Sequence, residues 1–143
     1  MTAKLDNLVK INSLKKEPPN LEEYGGLINA AESSLEDAHN ESLSLVSRFT
    51  LAYGASFKFC LAALRRLGYR SNNKRHLVFQ MLPETLALGP EIWRILDDCH
   101  EKRNLGEYEG VLEVNEQTLK DLIAATRRVA DELMALPPIP ADT

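Results

Sequence analysis

The chain has 143 residues, enough for one domain with a single core, and its composition of 44% hydrophobic and 27% charged residues is ordinary for a globular protein. No apolar run approaches the roughly 18 residues of a membrane span, and the polar first 16 residues lack the apolar core of a signal peptide. We therefore expect a cytoplasmic protein without a membrane partner. Two cysteines are too few for a disulfide framework, three histidines without close spacing argue against a metal site, and no cofactor is expected.

The net charge of -4 conceals a basic segment. Residues 42–83 hold seven basic residues and no acidic one, so this segment is +7 and the remainder is -11. Such an asymmetry can steer anions to one face of a protein. Alternatively, acidic helices pack beside the basic segment and neutralise it, and the sequence leaves both interpretations open. The candidate nucleic-acid-binding residues of the segment, each typical of a solvated surface when taken singly, are Arg65, Arg66, Arg70, Lys74 and Arg75.

The first half of the chain predicts a flexible arm followed by two helices. Residues 1–19 are expected to form the flexible arm. Asn20 is a suitable cap for a helix over residues 21–38, in which apolar residues recur at three- and four-residue spacing. Asn40 is expected to cap a long second helix, the spine of the fold, which continues to Gly68. Glycine suits the left-handed conformation at a helix end. Tyr53 lies on the apolar stripe of this helix, where its hydroxyl needs a partner if buried.

The second half predicts three more helices and no strand. A short helix over 74–81 is interrupted by Pro83, and a fourth helix begins at Gly89-Pro90. Trp93 of that helix is expected at an edge or interface, and Asn115 is expected to cap the last helix. Residues 137–143 read as a proline-rich extended tail. The prediction is an all-α protein, an up-and-down bundle of four to five helices forming one domain over residues 20–136.

The stretch Arg103-Asn104-Leu105-Gly106-Glu107-Tyr108 places a cation, an amide, a carboxylate and a phenol within six residues. This density of hydrogen-bonding groups favours an anion or nucleotide site over a packing surface. Arg103 also has an ordinary interpretation, because Glu107 lies one helical turn later and can pair with it. Such a pair contributes about 0.2–0.5 kcal/mol.

The order of these elements resembles the HEPN superfamily, helical domains found in toxin–antitoxin pairs, defence systems and nucleotidyltransferase partners. The resemblance covers about residues 21–136 and is carried by Arg48-Phe49-Thr50-Leu51-Ala52-Tyr53, by Ala62-Ala63-Leu64-Arg65-Arg66-Leu67-Gly68-Tyr69-Arg70 and by the stretch from Arg103 to Gly110. It implies an HEPN-like fold and a homodimer in which two arginine motifs line one cleft. The partners that it implies are RNA or a nucleotide and an antitoxin protein.

The motif departs from the pattern of active members at one position. Those members carry an arginine, often followed by asparagine, and a histidine four to six residues later. Arg103 and Asn104 match, but Tyr108 stands where the histidine is expected. A phenol with a pKa of about 10 is a poor base at neutral pH, whereas an imidazole near ~6.5 serves as base and acid. Metal-independent ribonuclease activity is therefore a less favoured prediction. The role that remains for Tyr108 is to donate a hydrogen bond to phosphate.

Two other histidines bear on this departure. His100 lies one turn before Arg103, on the same helix face, and is either the missing imidazole or a partly exposed polar residue. His76, beside Arg75, either approaches the phosphate or caps the short helix. The expected function is RNA or nucleotide binding in a toxin–antitoxin or defence system, with weak ribonuclease activity at most. The alternative is a non-catalytic module that pairs with an antitoxin or a nucleotidyltransferase.

Overall fold

A computed structural model describes residues 3–110 and 112–139. Its elements in chain order are α1 (Ala3–Lys10), β1 (Leu14–Lys16), α2 (Leu21–Ala38), α3 (Leu45–Arg66), β2 (Tyr69–Ser71), α4 (Leu77–Gln80), α5 (Leu82–Leu86), α6 (Pro90–Glu109) and α7 (Glu116–Met134). The four long helices, α2, α3, α6 and α7, form the body of the protein. The prediction of an all-α helical bundle is confirmed.

Helix α3 is the spine of the bundle, as predicted. It packs against α2 and α7 and also contacts α4 and α6. Large buried side chains such as Phe49, Tyr53 and Phe59 alternate along it with buried alanines, which allow the neighbouring helices to approach closely. Helix α6 completes the bundle by packing against α7 on one side and α4 on the other. The middle of α3, the start of α4 and the second half of α6 therefore meet.

Two of the three predicted helix caps are confirmed. The Asn20 side chain accepts a hydrogen bond from the backbone N–H of Glu23 at 2.8 Å, and Asn115 accepts one from Thr118 at 2.8 Å. Each satisfies a backbone donor that the first helical turn leaves unpaired.

The predicted cap at Asn40 is wrong. Helix α3 begins at Leu45, and the cap is Ser44, whose hydroxyl accepts from the N–H of Ser47 at 3.1 Å. The Asn40 side chain is occupied by the N–H of Ser42 at 3.0 Å, in a local turn. At the other end Gly68 has φ +91°, which confirms its left-handed conformation after the helix.

The expectation of a flexible arm over residues 1–19 is wrong for the residues that the structure describes. Helix α1 buries Leu5 in the core, and β1 pairs antiparallel with β2, Leu14 opposite Ser71. The prediction of no strand is corrected by this short ribbon. Three-residue strands carry no readable alternation, and their pairing joins segments far apart in sequence.

Two further predictions concern the short third helix and the C-terminal tail. The helix predicted over residues 74–81 is shorter, and Pro83 stands in the first turn of α5 rather than ending helical structure. The predicted extended tail over 137–143 lies outside the described residues from position 140 onward. Among the described helices, none is both long and apolar enough to cross a membrane.

Candidate functional site

The candidate site is a hydrogen-bonded group of side chains from α3 and α6. The Tyr53 hydroxyl on α3 lies 2.7 Å from Nδ1 of His100 on α6. One turn further along α6, Nδ2 of Asn104 lies 3.1 Å from Nε2 of the same ring. Arg103 lies beside them, with Cζ 5.2 Å from the centroid of the Tyr53 ring. We call Tyr53, His100, Arg103 and Asn104 the α3–α6 site.

The hydrogen bonds define the protonation of His100. Because the Asn104 amide donates to Nε2, the neutral ring carries its proton on Nδ1 and donates to the Tyr53 oxygen. Burial lowers the pKa of His100 below 6.5. Asp97 opposes this shift, and His76 and the nearby arginines reinforce it. The ring is therefore neutral at neutral pH. Both nitrogens are engaged, so His100 presents no free nitrogen to a ligand.

Tyr53 connects this histidine to the charged edge of the site. Burial raises the pKa of its phenol, while Arg75 and Arg103 act in the opposite direction. The phenol is therefore protonated at neutral pH. Since its oxygen accepts from His100, its own hydrogen is not used in that hydrogen bond. The expectation that a buried Tyr53 hydroxyl needs a partner is met by His100, which is 47 positions away in sequence.

Arg103 has two contacts at once. Its Nη2 lies 2.9 Å from a carboxylate oxygen of Glu107, so the ordinary intrahelical pair is present, and the side chain is 31% exposed. The same guanidinium lies over the Tyr53 ring, an arrangement in which the cation is attracted to the aromatic face. Arg103 is therefore held at the edge of the site with a face open to solvent.

Arg75 and His76 approach the site from the residues before α4. Cζ of Arg75 lies 3.9 Å from the centroid of the Phe57 ring, and the His76 ring lies 6.3 Å from the His100 ring. His76 occupies the cap position of α4, but its side chain makes no capping hydrogen bond. Of the two sequence interpretations of His76, side-chain capping is thus corrected.

Tyr108 lies apart from the α3–α6 site. Helical spacing places it one turn after Asn104, but its residue is 91% exposed in the last turn of α6. The structure therefore brings together three of the four predicted motif residues, Arg103, Asn104 and His100. The fourth extends into solvent.

Arg65 and Arg70, two of the five basic candidates, are engaged elsewhere. Arg65 is 2% exposed, and its Nε lies 2.7 Å from a carboxylate oxygen of Glu23. Arg70 binds the carboxylates of Glu17 and Glu23. Acidic residues neutralise this part of the basic segment. The expectation that Arg65 contacts nucleic acid is corrected because its side chain is buried, whereas for Arg70, whose side chain is 31% exposed, the contact stays a prediction.

The ion pairs with Arg65 and Arg70 lower the pKa values of the two carboxylates, Glu17 and Glu23. The hydrogen bond from Arg70 is the main reason that the pKa of Glu17 lies below 4.5. For Glu23, burial raises the pKa, but hydrogen bonds from Arg70 and Arg65 outweigh it and the net shift is downward. An adjoining cavity of about 700 Å³ is lined by these two carboxylates, Glu22 and Arg65, so carboxylates outnumber the cation in its lining.

The other three basic candidates differ in their surroundings. Nη2 of Arg66 donates to the carbonyl of Pro137 at 2.6 Å, which holds the start of the C-terminal segment. Lys74 donates to the Ser13 hydroxyl at 3.2 Å. Of the five, Arg75 alone lies against the α3–α6 site.

No protein-family model matches this chain, and neither does any curated protein or solved structure. Within the described residues, no group of three or more histidine, cysteine or acidic side chains is arranged to hold a metal ion. The chemistry of the α3–α6 site and its surroundings therefore decides what can be proposed.

Sequence reasoning missed several members of these surroundings. Phe57 supports Arg75, and Phe79 packs its ring 6.0 Å from His100. Asp97 influences His100 from the preceding turn of α6, and its carboxylate lies 3.5 Å from the Gln80 amide. Only the approach of α4 to α6 brings these groups together, and no local pattern reports that approach.

Proposed function

We propose that the protein binds RNA, with a phosphate held at Arg103, as an HEPN-like component of a toxin–antitoxin or defence system. The observation that carries this proposal is the position of Arg103 over Tyr53, within a site whose other members are already hydrogen-bonded to one another. Supporting it, the Arg103-Asn104 pair that matches the HEPN motif lies in contact with the basic spine helix. This contact joins two of the stretches on which the resemblance rests.

The chemistry of the site suits a phosphodiester. A guanidinium offers two parallel donors that match two phosphate oxygens. Phosphate must compete with Glu107 for Arg103. The intrahelical pair contributes about 0.2–0.5 kcal/mol, whereas a hydrogen bond to a charged group contributes about 1.5–3 kcal/mol. The phosphate contact therefore outweighs the pair that it replaces.

The geometry favours binding over cleavage. Both nitrogens of His100 are hydrogen-bonded, and Tyr108 lies away from the α3–α6 site. Loss of a positioned general base or acid typically costs about 10²–10⁴ in rate. Ribonuclease activity, if present, is therefore weak in this proposal.

The experiment compares two arginines that make the same kind of pair. Arg128 on α7 pairs with Glu132 at 3.4 Å, one turn away as Glu107 is from Arg103. Labelled single-stranded RNA is titrated in EDTA with the wild type, Arg103→Ala and Arg128→Ala. We expect Arg103→Ala alone to weaken binding about 10–100-fold and to reduce the salt slope by ~0.7.

Each outcome of this titration assigns a function. Equal weakening in both variants means that RNA binding depends only on the overall charge of the protein and not on Arg103. Absence of binding at low salt removes the RNA proposal. A mononucleotide titrated in parallel separates RNA from nucleotide binding. Intact RNA recovered from every mixture supports a binding protein, and cleavage that Arg103→Ala abolishes supports an enzyme.

A second candidate function is favoured by the exposed apolar surface beside the site. Leu105 is 56% exposed and lies one turn before Tyr108 on α6. This surface suits a non-catalytic module that pairs with an antitoxin or nucleotidyltransferase. Co-expression with the product of a neighbouring gene tests it: Tyr108→Ala should abolish copurification while Arg103→Ala retains it. The reverse pattern would contradict this candidate.

The homodimer is part of the first proposal. Trp93, which the sequence predicts at an edge or interface, is half-buried against its own core, with Cζ of Arg94 5.4 Å from its ring. The surface around Leu105 and Tyr108, next to Arg103, is therefore where a second copy is expected. A dimer mass at micromolar concentration that becomes a monomer in Tyr108→Asp supports this arrangement. A wild-type monomer contradicts it.

A further inference from the structure

A second charged edge borders the α3–α6 site, and it comes from a different part of the chain. Arg75 is exposed and stacked on Phe57, and His76 is half-buried with its ring 6.3 Å from His100. Both arginines act on the same phenol, because Arg75 and Arg103 are each close enough to Tyr53 to influence its ionisation. Two guanidinium groups thus flank one buried hydroxyl.

The fold fixes this edge in place. Asn73 adopts a left-handed conformation with φ +67° and turns the chain into α4. Helix α4 then buries Leu77 and Phe79, and the Phe79 ring packs 5.9 Å from Tyr53 and 6.0 Å from His100. Because these contacts anchor α4 to both α3 and α6, the residues just before it have a defined position relative to Arg103.

We propose that Arg75 and His76 form the second half of the phosphate-binding site, and that His76 is the imidazole that takes up a proton when RNA binds. This inference rests on the proposed function and adds the residues and the pH dependence. His100 is a positioning residue in this arrangement, because its two nitrogens hold Tyr53 and Asn104. The His76 ring is half-buried and makes no capping hydrogen bond.

The charge of the ligand predicts the direction of the coupling. The cations that face the α3–α6 site are Arg75 and Arg103, and the carboxylates that face it are Asp97 and Glu107. A bound phosphodiester places negative charge beside the imidazole of His76 and favours its protonated form, so proton uptake accompanies binding. By linkage, RNA affinity must rise as pH falls through the range in which an imidazole titrates.

The test measures the RNA dissociation constant against pH. A fluorescein-labelled oligouridylate is titrated between pH 6 and 8 at constant ionic strength in EDTA, with wild type, Arg75→Gln and His76→Gln. The control is His39→Gln, since His39 lies at the end of α2 beside a separate cavity with Arg127 and Asp131. Linkage of one proton changes affinity by at most about tenfold per pH unit, and we expect wild type and His39→Gln to bind about tenfold tighter at pH 6 than at pH 8. His76→Gln should lose this dependence, and Arg75→Gln should bind about tenfold more weakly at every pH.

The outcomes separate this inference from the proposed function. Wild-type pH dependence retained in His76→Gln, or unchanged affinity in Arg75→Gln, overturns the inference while RNA binding through Arg103 stands. No RNA binding by the wild type defeats the proposed function, and this inference with it. A second measurement needs no variant: adding the oligouridylate should shift the ring-proton NMR signals of His76 and leave those of His39 in place. An unmoved His76 signal in the presence of bound RNA also overturns the inference.

Discussion

Replacing Tyr53 by phenylalanine isolates the hydrogen bond at the centre of the α3–α6 site. The ring and its contact with Arg103 remain, and only the hydroxyl 2.7 Å from His100 Nδ1 is removed. His100 is 9% exposed, so water has little access to the orphaned N–H. An unsatisfied buried polar group costs about 1–3 kcal/mol. We expect Tyr53→Phe to lower the free energy of unfolding by about 2 kcal/mol, roughly a 30-fold change in the folding equilibrium constant.

Urea unfolding of a double-mutant cycle measures this interaction. Removing the imidazole in His100→Leu takes a hydrogen-bond partner from both the Tyr53 hydroxyl and the Asn104 amide, so each single variant carries the cost of lost hydrogen bonds in the site. The double variant removes both groups. We expect its loss of unfolding free energy to be smaller, by about 1 kcal/mol or more, than the sum of the losses in the two single variants. Tyr108→Phe is the matched control, because a hydroxyl on a 91% exposed residue should contribute less than about 0.5 kcal/mol.

Two results would refute this reasoning. If the single variants add within about 0.3 kcal/mol, Tyr53 and His100 are not coupled and the site is not held together as described. If Tyr53→Phe and Tyr108→Phe cost the same, the Tyr53 hydroxyl is not buried against a partner. Circular dichroism of each folded variant checks that the helical content is unchanged.

The remaining predictions concern charged groups in the fold. When the pH is lowered below 4.5, the free energy of unfolding should decrease, because the pKa of Glu23 is lowered in the folded state and its stabilisation is lost on protonation. The urea midpoint of Glu23→Gln should decrease less over the same pH range than that of the wild type. A separate fall should begin below pH 6.5, since burial lowers the pKa of His100 and unfolding lets it charge, and a fall that persists in His100→Leu contradicts this origin. Arg65→Met should cost about 3 kcal/mol, the lower end of the range for breaking a buried pair, because the Glu23 side chain is 32% exposed. Arg128→Met should cost less than about 0.5 kcal/mol in the same urea assay, and equal costs would show that Arg65 is not a buried anchor.

The long helices could be predicted because their determinants are local. Apolar residues at three- and four-residue spacing identify α2, α3, α6 and α7, and Asn20 and Asn115 cap the helices that follow them. The Asn40 error has a physical reason: asparagine and serine are both good caps, and the choice of Ser44 depends on where the chain turns. The N-terminal elements depend on contacts with β2, more than 50 positions away, which no local pattern contains.

The candidate site was predictable only in part. The spacing of His100, Arg103 and Asn104 on one helix indicates a shared face, and the structure shows them together. The same spacing rule fails for Tyr108, whose side chain lies in solvent in the last turn of α6. Neutralisation of the basic segment was one of two interpretations that the sequence left open, but the pairing of Arg65 with Glu23 could not be identified, since Glu23 reaches it from the start of another helix.

In the proposed function, Arg103 binds a phosphate of RNA within a prearranged site. The decisive measurement is the salt dependence of RNA affinity in Arg103→Ala, compared with Arg128→Ala. The predicted result is a slope of log affinity against log salt that is shallower by ~0.7 in Arg103→Ala, with the slope of Arg128→Ala equal to that of wild type. Equal slopes in all three proteins would contradict the claim.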